Sequence, residues 1–362
     1  MRRDVRNLNH VFEPDSIAVI GGSPATGKLG HVVLKNIMDA SFQGKVYPVN
    51  PKYREVLGLR CYPDVHSIPG KVDLAVFAIP AEHIPSVMEQ CGRKGVKGAI
   101  VLSAGFGEIG RKDLDEKLSK AVKKYGIAMI GPNCLGALDP SKRLDTLFFP
   151  FYKLGRPRIG EISFATQSGA VGSCIVDMAA HFGVGFAKFA SYGNALTIDD
   201  ADLVEYFGSD PRTRQIILYL EGTKDGRKLF EVMKKVGKKK PVIVLKAGKT
   251  AGASQAAMSH TGNIAGNYTA YQAAFRQSRV IEANSLAELF HVVNAFSQPL
   301  PKGRRVAVLT DGGGLGVLSA DAIEAEGLQL AQLSSETEKV IREVLPQYGK
   351  VGNPIDLIAD SG

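Results

Sequence analysis

Ser16-Ile17-Ala18-Val19-Ile20-Gly21-Gly22-Ser23-Pro24-Ala25-Thr26-Gly27-Lys28-Leu29-Gly30 is the stretch on which the fold is read. A short apolar run closed by glycines has the signature of a buried strand, and the periodicity from about His31 predicts a helix. The same unit recurs outward along the chain. Residues 45–50, 73–79, 98–102 and 128–130 read as further strands, each separated from the next by a helical stretch. Alternation of this kind predicts an α/β fold, with parallel strands covered on both faces by helices. The first such unit is a Rossmann-like domain over residues 1–138.

Residues 139–158 carry Pro140, Pro150 and Pro157 with little periodicity and read as a connector. Alternation resumes over 159–298, and residues 298–303 form a short second linker. A third unit, 303–362, opens with a strand at 305–310 and the glycine loop at 312–316, then stops after roughly two strand–helix steps. A doubly wound sheet usually has about five strands, so this unit is expected to be the start of a domain that is truncated here.

Composition narrows the function. The chain has 362 residues, 44% hydrophobic and 22% charged, as in ordinary globular domains. No apolar run approaches the ~20 residues of a membrane span, and no apolar signal core follows the first residues, so a cytoplasmic protein without a membrane partner is expected. The four cysteines lack paired metal spacing, which argues against a zinc site or disulfide framework, and no metal is expected. The net charge of +9 is scattered apart from lysines at 234, 235 and 238–240. That run follows a helical stretch, where cations suit the dipole, and no aromatics interleave with it. Nucleic acid is therefore not the expected partner; a phosphorylated small ligand accounts for the balance equally well.

Three places carry candidate chemistry. The glycines after the first strand let the backbone approach a phosphate at a helix N-terminus, and Lys28 adds charge. Their spacing is not the dinucleotide fingerprint, and the second strand ends in Asn50-Pro51-Lys52 rather than an acidic residue, which disfavours a nicotinamide cofactor. Gln167-Ser168-Gly169-Ala170 follows a strand and opens a helix, offering a hydroxyl and N–H groups to an anion. Such a turn also needs small residues for purely steric reasons. Finally, His260 lies in the small-residue loop 258–266. The strand at 216–220 delivers Glu221, and the next, at 241–245, leads into the histidine loop. If these strands are parallel neighbours, ~4.8 Å apart, Glu221 and the loop leave the same sheet edge. A carboxylate there would fix the imidazole tautomer and leave its other nitrogen free as a nucleophile. A lone surface histidine is otherwise ordinarily idle, and Glu221 by itself is an ordinary loop acid.

Four motifs in this order, Gly-Pro-Asn-Cys-Leu-Gly at 131–136, Gln-Ser-Gly-Ala at 167–170, Tyr-Leu-Glu-Gly at 219–222 and Ser-His-Thr-Gly at 259–262, resemble the α-part of NDP-forming acyl-CoA synthetases. The ADP-forming acetyl-CoA synthetase branch is the nearest in pattern, with succinyl-CoA synthetase α more distant. The resemblance implies a CoA-binding Rossmann domain followed by flavodoxin-like domains, and an acid–thiol ligase working through acyl phosphate and a phosphohistidine. Carried onto this chain, it implies His260 as phosphoryl carrier and Glu221 as its orienting partner. It implies Ser168, Gly169 and Ala170 as the phosphate site, and Gly22, Ser23, Lys28, Asn50, Pro51, Ile79, Pro80 and Asn133 as the coenzyme A site. It further implies ADP or ATP with Mg on an ATP-grasp β-subunit or fused domain, and an oligomeric assembly. Asp311, before the third glycine loop, departs from the pattern. The alternative is a CoA-sensing regulatory or scaffold module of a protein lysine acetyltransferase, in which the histidine tends to be lost; its presence here favours the enzyme.

Overall fold

A computed structural model of the chain describes residues 3–250, 252–253, 267–346 and 348–358. His260 and its loop lie outside the described residues. Two compact units are formed, Met1–Phe296 and Ser297–Gly362.

The first unit contains two sheets. In one, β1 (Ser16–Ile20), β2 (Lys45–Val49), β3 (Leu74–Phe77), β4 (Gly98–Val101) and β5 (Ala128–Ile130) run parallel in the order β2-β1-β3-β4-β5. Every residue of β1 is buried, which is why it reads as a continuous apolar run rather than an alternating one. Its side chains still divide between faces. Ile17 and Val19 join the core that includes Val33, Leu34 and Ile37 of α1 (Leu29–Asp39). Ala18 and Ile20 join the core of α2 (Ile84–Lys94) and α3 (Lys112–Tyr125), through Met88 and Leu118. Strand order reverses between β1 and β3, and the crevice at their carboxyl ends is where ligands of open α/β sheets bind.

The other sheet has seven strands: β6 (Gly136–Asp139), β7 (Leu144–Asp145), β8 (Ile159–Thr166), β9 (Phe186–Ser191), β10 (Gln215–Leu220), β11 (Val242–Lys246) and β12 (Ile281–Ala283). Their order is β12-β11-β10-β8-β9-β6-β7. The five from β8 to β12 are parallel, while β6 runs antiparallel to β9 and β7 antiparallel to β6. Part of the segment read as a connector, 139–145, thus belongs to the edge of this sheet. Strands of two to four residues, one of them paired some fifty positions downstream, leave no periodic trace. Helices α4 (Gly169–His181) and α8 (Leu286–Ser297) pack on one face with Phe164 and Phe189, whereas α5 (Asp200–Ser209), α6 (Gly226–Val236) and α7 (Tyr268–Ser278) pack on the other with Ile216 and Leu218.

The sheets share one apolar core, which extends from Ile17 and Val33 to Tyr206 and Leu218. A buried ionic knot adds to the joint. Lys188 on β9 is fully buried, with its ammonium 2.8 Å from Asp210, 3.5 Å from Asp139 and 3.4 Å from Glu13. Arg212 pairs with Glu13 and Asp139 at 2.7 and 2.8 Å. The second unit holds β13 (Arg305–Val306), β14 (Leu309–Thr310), α9 (Gly313–Ala325), β15 (Gln329–Leu330), α10 (Ser335–Val344) and β16 (Ile355–Asp356). There β13 pairs with β15 and β14 with β16, all parallel.

Candidate functional site

The carboxyl ends of both large sheets open onto one cavity of about 460 Å³. Three sequence-derived candidates line it from the second sheet, at the turn from β8 into α4: Ser168, Gly169 and Ala170. Glu221 lines it from the end of β10, and Asn133 from the loop after β5. Strand order reverses between β8 and β10 as well, so the two turns flank a second switch point.

The α4 turn leaves backbone donors at the helix N-terminus. The Ser168 side chain caps the helix by accepting from the Val171 N–H at 3.2 Å. The Thr166 hydroxyl donates to the Ser168 carbonyl at 2.8 Å and fixes the entry of the chain. The N–H groups of Gly169 and Ala170 precede the intrahelical ladder and retain their capacity to donate, with the positive end of the helix dipole behind them.

Gln167, immediately before this turn, positions Glu221. Its buried amide oxygen accepts from the Glu221 and Gly222 N–H groups at 2.6 and 3.1 Å, and its amide nitrogen donates to the Gly222 carbonyl at 2.8 Å. Since Thr166 is in register with Tyr219, the side chain prolongs the pairing of β8 with β10 beyond the strands. The Tyr219 hydroxyl pairs with the Glu221 carboxylate; burial, then that carboxylate, push its pKa up. Glu221 Oε2 is buried without a hydrogen-bond partner among the described residues.

Below Glu221, β10 and β11 are parallel neighbours, the condition on which the sequence reading depended, with Leu220 opposite Lys246. Lys246 is buried. Its ammonium donates to the Glu221 carbonyl at 2.7 Å and to the Ala247 carbonyl, and lies 4.7 Å from the centre of the Tyr271 ring. Burial pushes its pKa down to about 8, against the opposing pull of the Glu221 and Glu282 carboxylates. The same cation thereby ties the Glu221 turn to the segment that leads toward His260. Behind this layer Asp200, buried and facing Asp199, is pushed up to about 7, while the Ala201 N–H and the Thr223 hydroxyl hold its carboxylate at 2.8 and 3.2 Å.

The remaining predicted contacts cluster at the β1–β3 crevice. Gly21 has φ +93°, and a side chain there would strike the Ala78 carbonyl, so the loop can lie close across the strand ends only with glycine. The Asn50 amide donates to the Gly22 carbonyl at 2.8 Å, while its oxygen accepts from the Lys52 N–H at 3.0 Å. Ser23 accepts from the Ala25 N–H, and the His31 ring meets the Ser23 carbonyl. Lys28 is exposed at the N-cap of α1, and Pro51 is exposed beside Asn50. Ile79 and Pro80 follow β3, and the Ile79 carbonyl accepts from the Ser103 hydroxyl at 2.7 Å. Ser103 lines the cavity, and its carbonyl accepts from the Asn133 N–H at 3.0 Å.

Asn133 continues this chain of contacts into the second sheet. Its amide bonds Asn194 at 3.3 Å, and Asn194 donates to Glu108 at 2.5 Å. Gly193, at φ +50°, presses on the carbonyls of Pro132 and Asn133, where a side chain has no room. Cys134, also in the cavity wall, has a thiol that burial pushes up to about 12, consistent with packing rather than nucleophilic work. Among the described residues no cluster of three or more His, Cys, Asp or Glu could hold a metal ion, and no helix is long and apolar enough to cross a membrane.

Three family models match the chain. Residues 15–140 match a CoA binding domain, 159–296 a succinyl-CoA ligase like flavodoxin domain, and 306–361 a ligase-CoA domain. The chain is 46% identical to the α subunit of acetate–CoA ligase [ADP-forming] II of Pyrococcus furiosus, over 98% of its own length and 77% of that subunit. The chain belongs to the ADP-forming acetate–CoA ligase family. A second relative in this ligase family, acetate–CoA ligase [ADP-forming] I of Archaeoglobus fulgidus, is 44% identical; the chain spans about half of it, 51%. Among solved structures, the acetyl-coenzyme A synthetase 1 of Ca. Korarchaeum cryptofilum, in complex with phosphate and ADP, is 39% identical with a TM-score of 0.89. That match covers 98% of this chain and 76% of the other. Within the ligase family's frame, Gln167, Asn194 and Lys246 are the residues that sequence reading did not assign. Lys246 had a signal, a lone charge closing an apolar strand; Asn194 had none.

Proposed function

We propose that the chain is the α-part of an ADP-forming acyl-CoA synthetase that converts acyl-CoA and phosphate to acid, CoA and ATP. The observation that carries this reading is the single cavity in which an unencumbered helix N-terminus, an oriented Glu221 and the end of the first sheet's crevice converge. Gly22, Ser23, Lys28, Asn50, Pro51, Ile79 and Pro80 hold coenzyme A along the β1–β3 crevice, with Asn133 where the crevice opens into the cavity.

A phosphate oxygen held by Ser168, Gly169 and Ala170 attacks the thioester carbonyl. The C–S bond breaks, and the departing CoA thiolate takes up a proton. An imidazole nitrogen of His260 then attacks phosphorus, and the P–O bond to the acyl group breaks to release the carboxylate. Glu221 accepts the other ring N–H, the partner its buried Oε2 lacks among the described residues, and steadies the charge that develops on the ring. ADP with Mg on an ATP-grasp partner, a separate subunit or a fused domain, finally attacks the phosphohistidine, breaking P–N to give ATP. Positioning and charge stabilisation are what phosphoryl transfer chiefly demands. The domain limits 1–138, 159–298 and 303–362, an oligomeric assembly and a cytoplasmic setting complete the reading.

The test is mass spectrometry of the chain after incubation with acetyl-CoA and orthophosphate, and with its ATP-grasp partner plus Mg-ATP. Acid-labile phosphate on His260, absent from His260→Ala with CoA affinity retained, is the expected result. A wild-type protein that binds CoA and acquires no phosphate under either condition refutes the reading.

A further inference from the structure

The cavity lining is chemically mixed. Ser103, Asn133, Asn194, Gln167, Glu221 and the Ser168 turn contribute polar groups, while Leu29, Leu102, Leu135 and Phe148 contribute apolar ones. The two kinds of lining come together beside Gly169, where an added Cβ would meet the Leu135 side chain at ordinary van der Waals distance. In an acyl phosphate one bridging oxygen separates the phosphorus from the acyl carbonyl. A phosphate on the α4 turn therefore leaves the acyl tail within the same cavity as the apolar residues.

Leu102 and Leu135 are buried parts of the general core, whereas Phe148 is half-buried and comes from the segment after β7. That segment is tied down by buried side chains. The buried Asn36 amide donates to the carbonyls on either side of Phe148, Leu147 at 2.7 Å and Phe149 at 2.9 Å. Arg156 donates to the Phe149 carbonyl at 2.7 Å while its Nε pairs with buried Asp145 at 2.6 Å. The Phe148 and Phe149 ring centres are 4.9 Å apart. Pinning the backbone on both sides fixes where the ring is rooted, and the neighbouring Phe149 ring restricts the directions in which it can swing away from the cavity.

We infer that Phe148 limits the length of the acyl group, so that removal of its ring admits longer ones. The inference rests on the function proposed above. A pocket wall of this kind discriminates by roughly 10- to 200-fold per methylene.

The experiment measures kcat/KM for acetyl-, butyryl- and hexanoyl-CoA, as phosphate- and ADP-dependent CoA release with the ATP-grasp partner present, for wild type, Phe148→Leu and Phe148→Ala. The hexanoyl-to-acetyl ratio compares two substrates on one preparation, so loss of folded protein cancels from it. We expect wild type to prefer acetyl- or butyryl-CoA, with the ratio rising about tenfold or more in Phe148→Ala and by less in Phe148→Leu. A ratio within twofold of wild type in both variants overturns the assignment of Phe148 while leaving the ligase reading intact. A wild-type complex that turns over none of the three overturns both.

Discussion

Replacing Gln167 with Met keeps the length of the side chain and removes all three hydrogen bonds that hold the Glu221–Gly222 backbone. Each such bond contributes about 0.5–1.5 kcal/mol net, and the buried Gly222 groups lose partners that water cannot readily replace. The loss should therefore total about 2–4 kcal/mol of stability, read from the denaturant midpoint at unchanged slope. The functional effect is separate. Once the pairing of β8 with β10 is no longer prolonged past Thr166, the Glu221 turn drifts relative to the α4 N-terminus. A displacement on the order of 1 Å costs about 100-fold in rate when reacting groups must be aligned. Rapid-quench measurement of phosphoenzyme formation should show a step slower by roughly 10- to 100-fold, with the KM for acetyl-CoA changed far less, because the β1–β3 crevice is not touched. If Gln167→Met loses stability but forms phosphoenzyme at the wild-type rate, Gln167 is a structural tie only and the positioning argument fails.

Other outcomes follow from neighbouring features. Lys188→Met leaves Asp139 and Asp210 buried around a missing cation, and removing one partner of a buried pair costs about 3–5 kcal/mol, measurable by equilibrium denaturation; a loss under about 1 kcal/mol would show that the knot is dispensable. The pKa of Asp200 is raised from 3.8 to about 7, so the folded state binds the proton more tightly than the unfolded one. Its contribution is complete below about pH 4 and lost as pH rises to about 7, on the order of 4 kcal/mol. Asp200→Asn, which retains acceptors for Ala201 and Thr223, should flatten that fall in melting temperature between about pH 4 and 8; parallel pH profiles would contradict it. Lys28→Ala should weaken CoA binding about 2- to 5-fold in low salt by titration calorimetry, with the difference shrinking as ionic strength rises. A salt-independent difference would remove Lys28 from the phosphate-facing charges.

How far the site is legible depends on the range of the interactions involved. Glu221, Ser168, Gly169 and Ala170 are recognisable because each follows a strand with a strong local signature, and strand ends are where a parallel sheet delivers its functional groups. Gln167 and Lys246 are visible as residues but not as contacts. Their hydrogen bonds reach other strand ends, and nothing local records which carbonyl a buried amide or ammonium will meet. In the sequence β6 falls at the end of the first unit and β7 within the connector, because the partner of β6, β9, lies far along the chain.

The sequence by itself determined the α/β class, the repeat of strand and helix, and the switch-point loops, since apolar runs, glycines and helix starts are set by local conformational preference and burial. Tertiary structure alone decided that the two sheets share one core, that Asn133 and Glu221 face one cavity, and that Asn36 and Arg156 brace Phe148 from two directions. Those are contacts between segments about a hundred residues apart or more in several cases, and the free energy that selects them comes from joint exclusion of water, which no single segment can achieve alone.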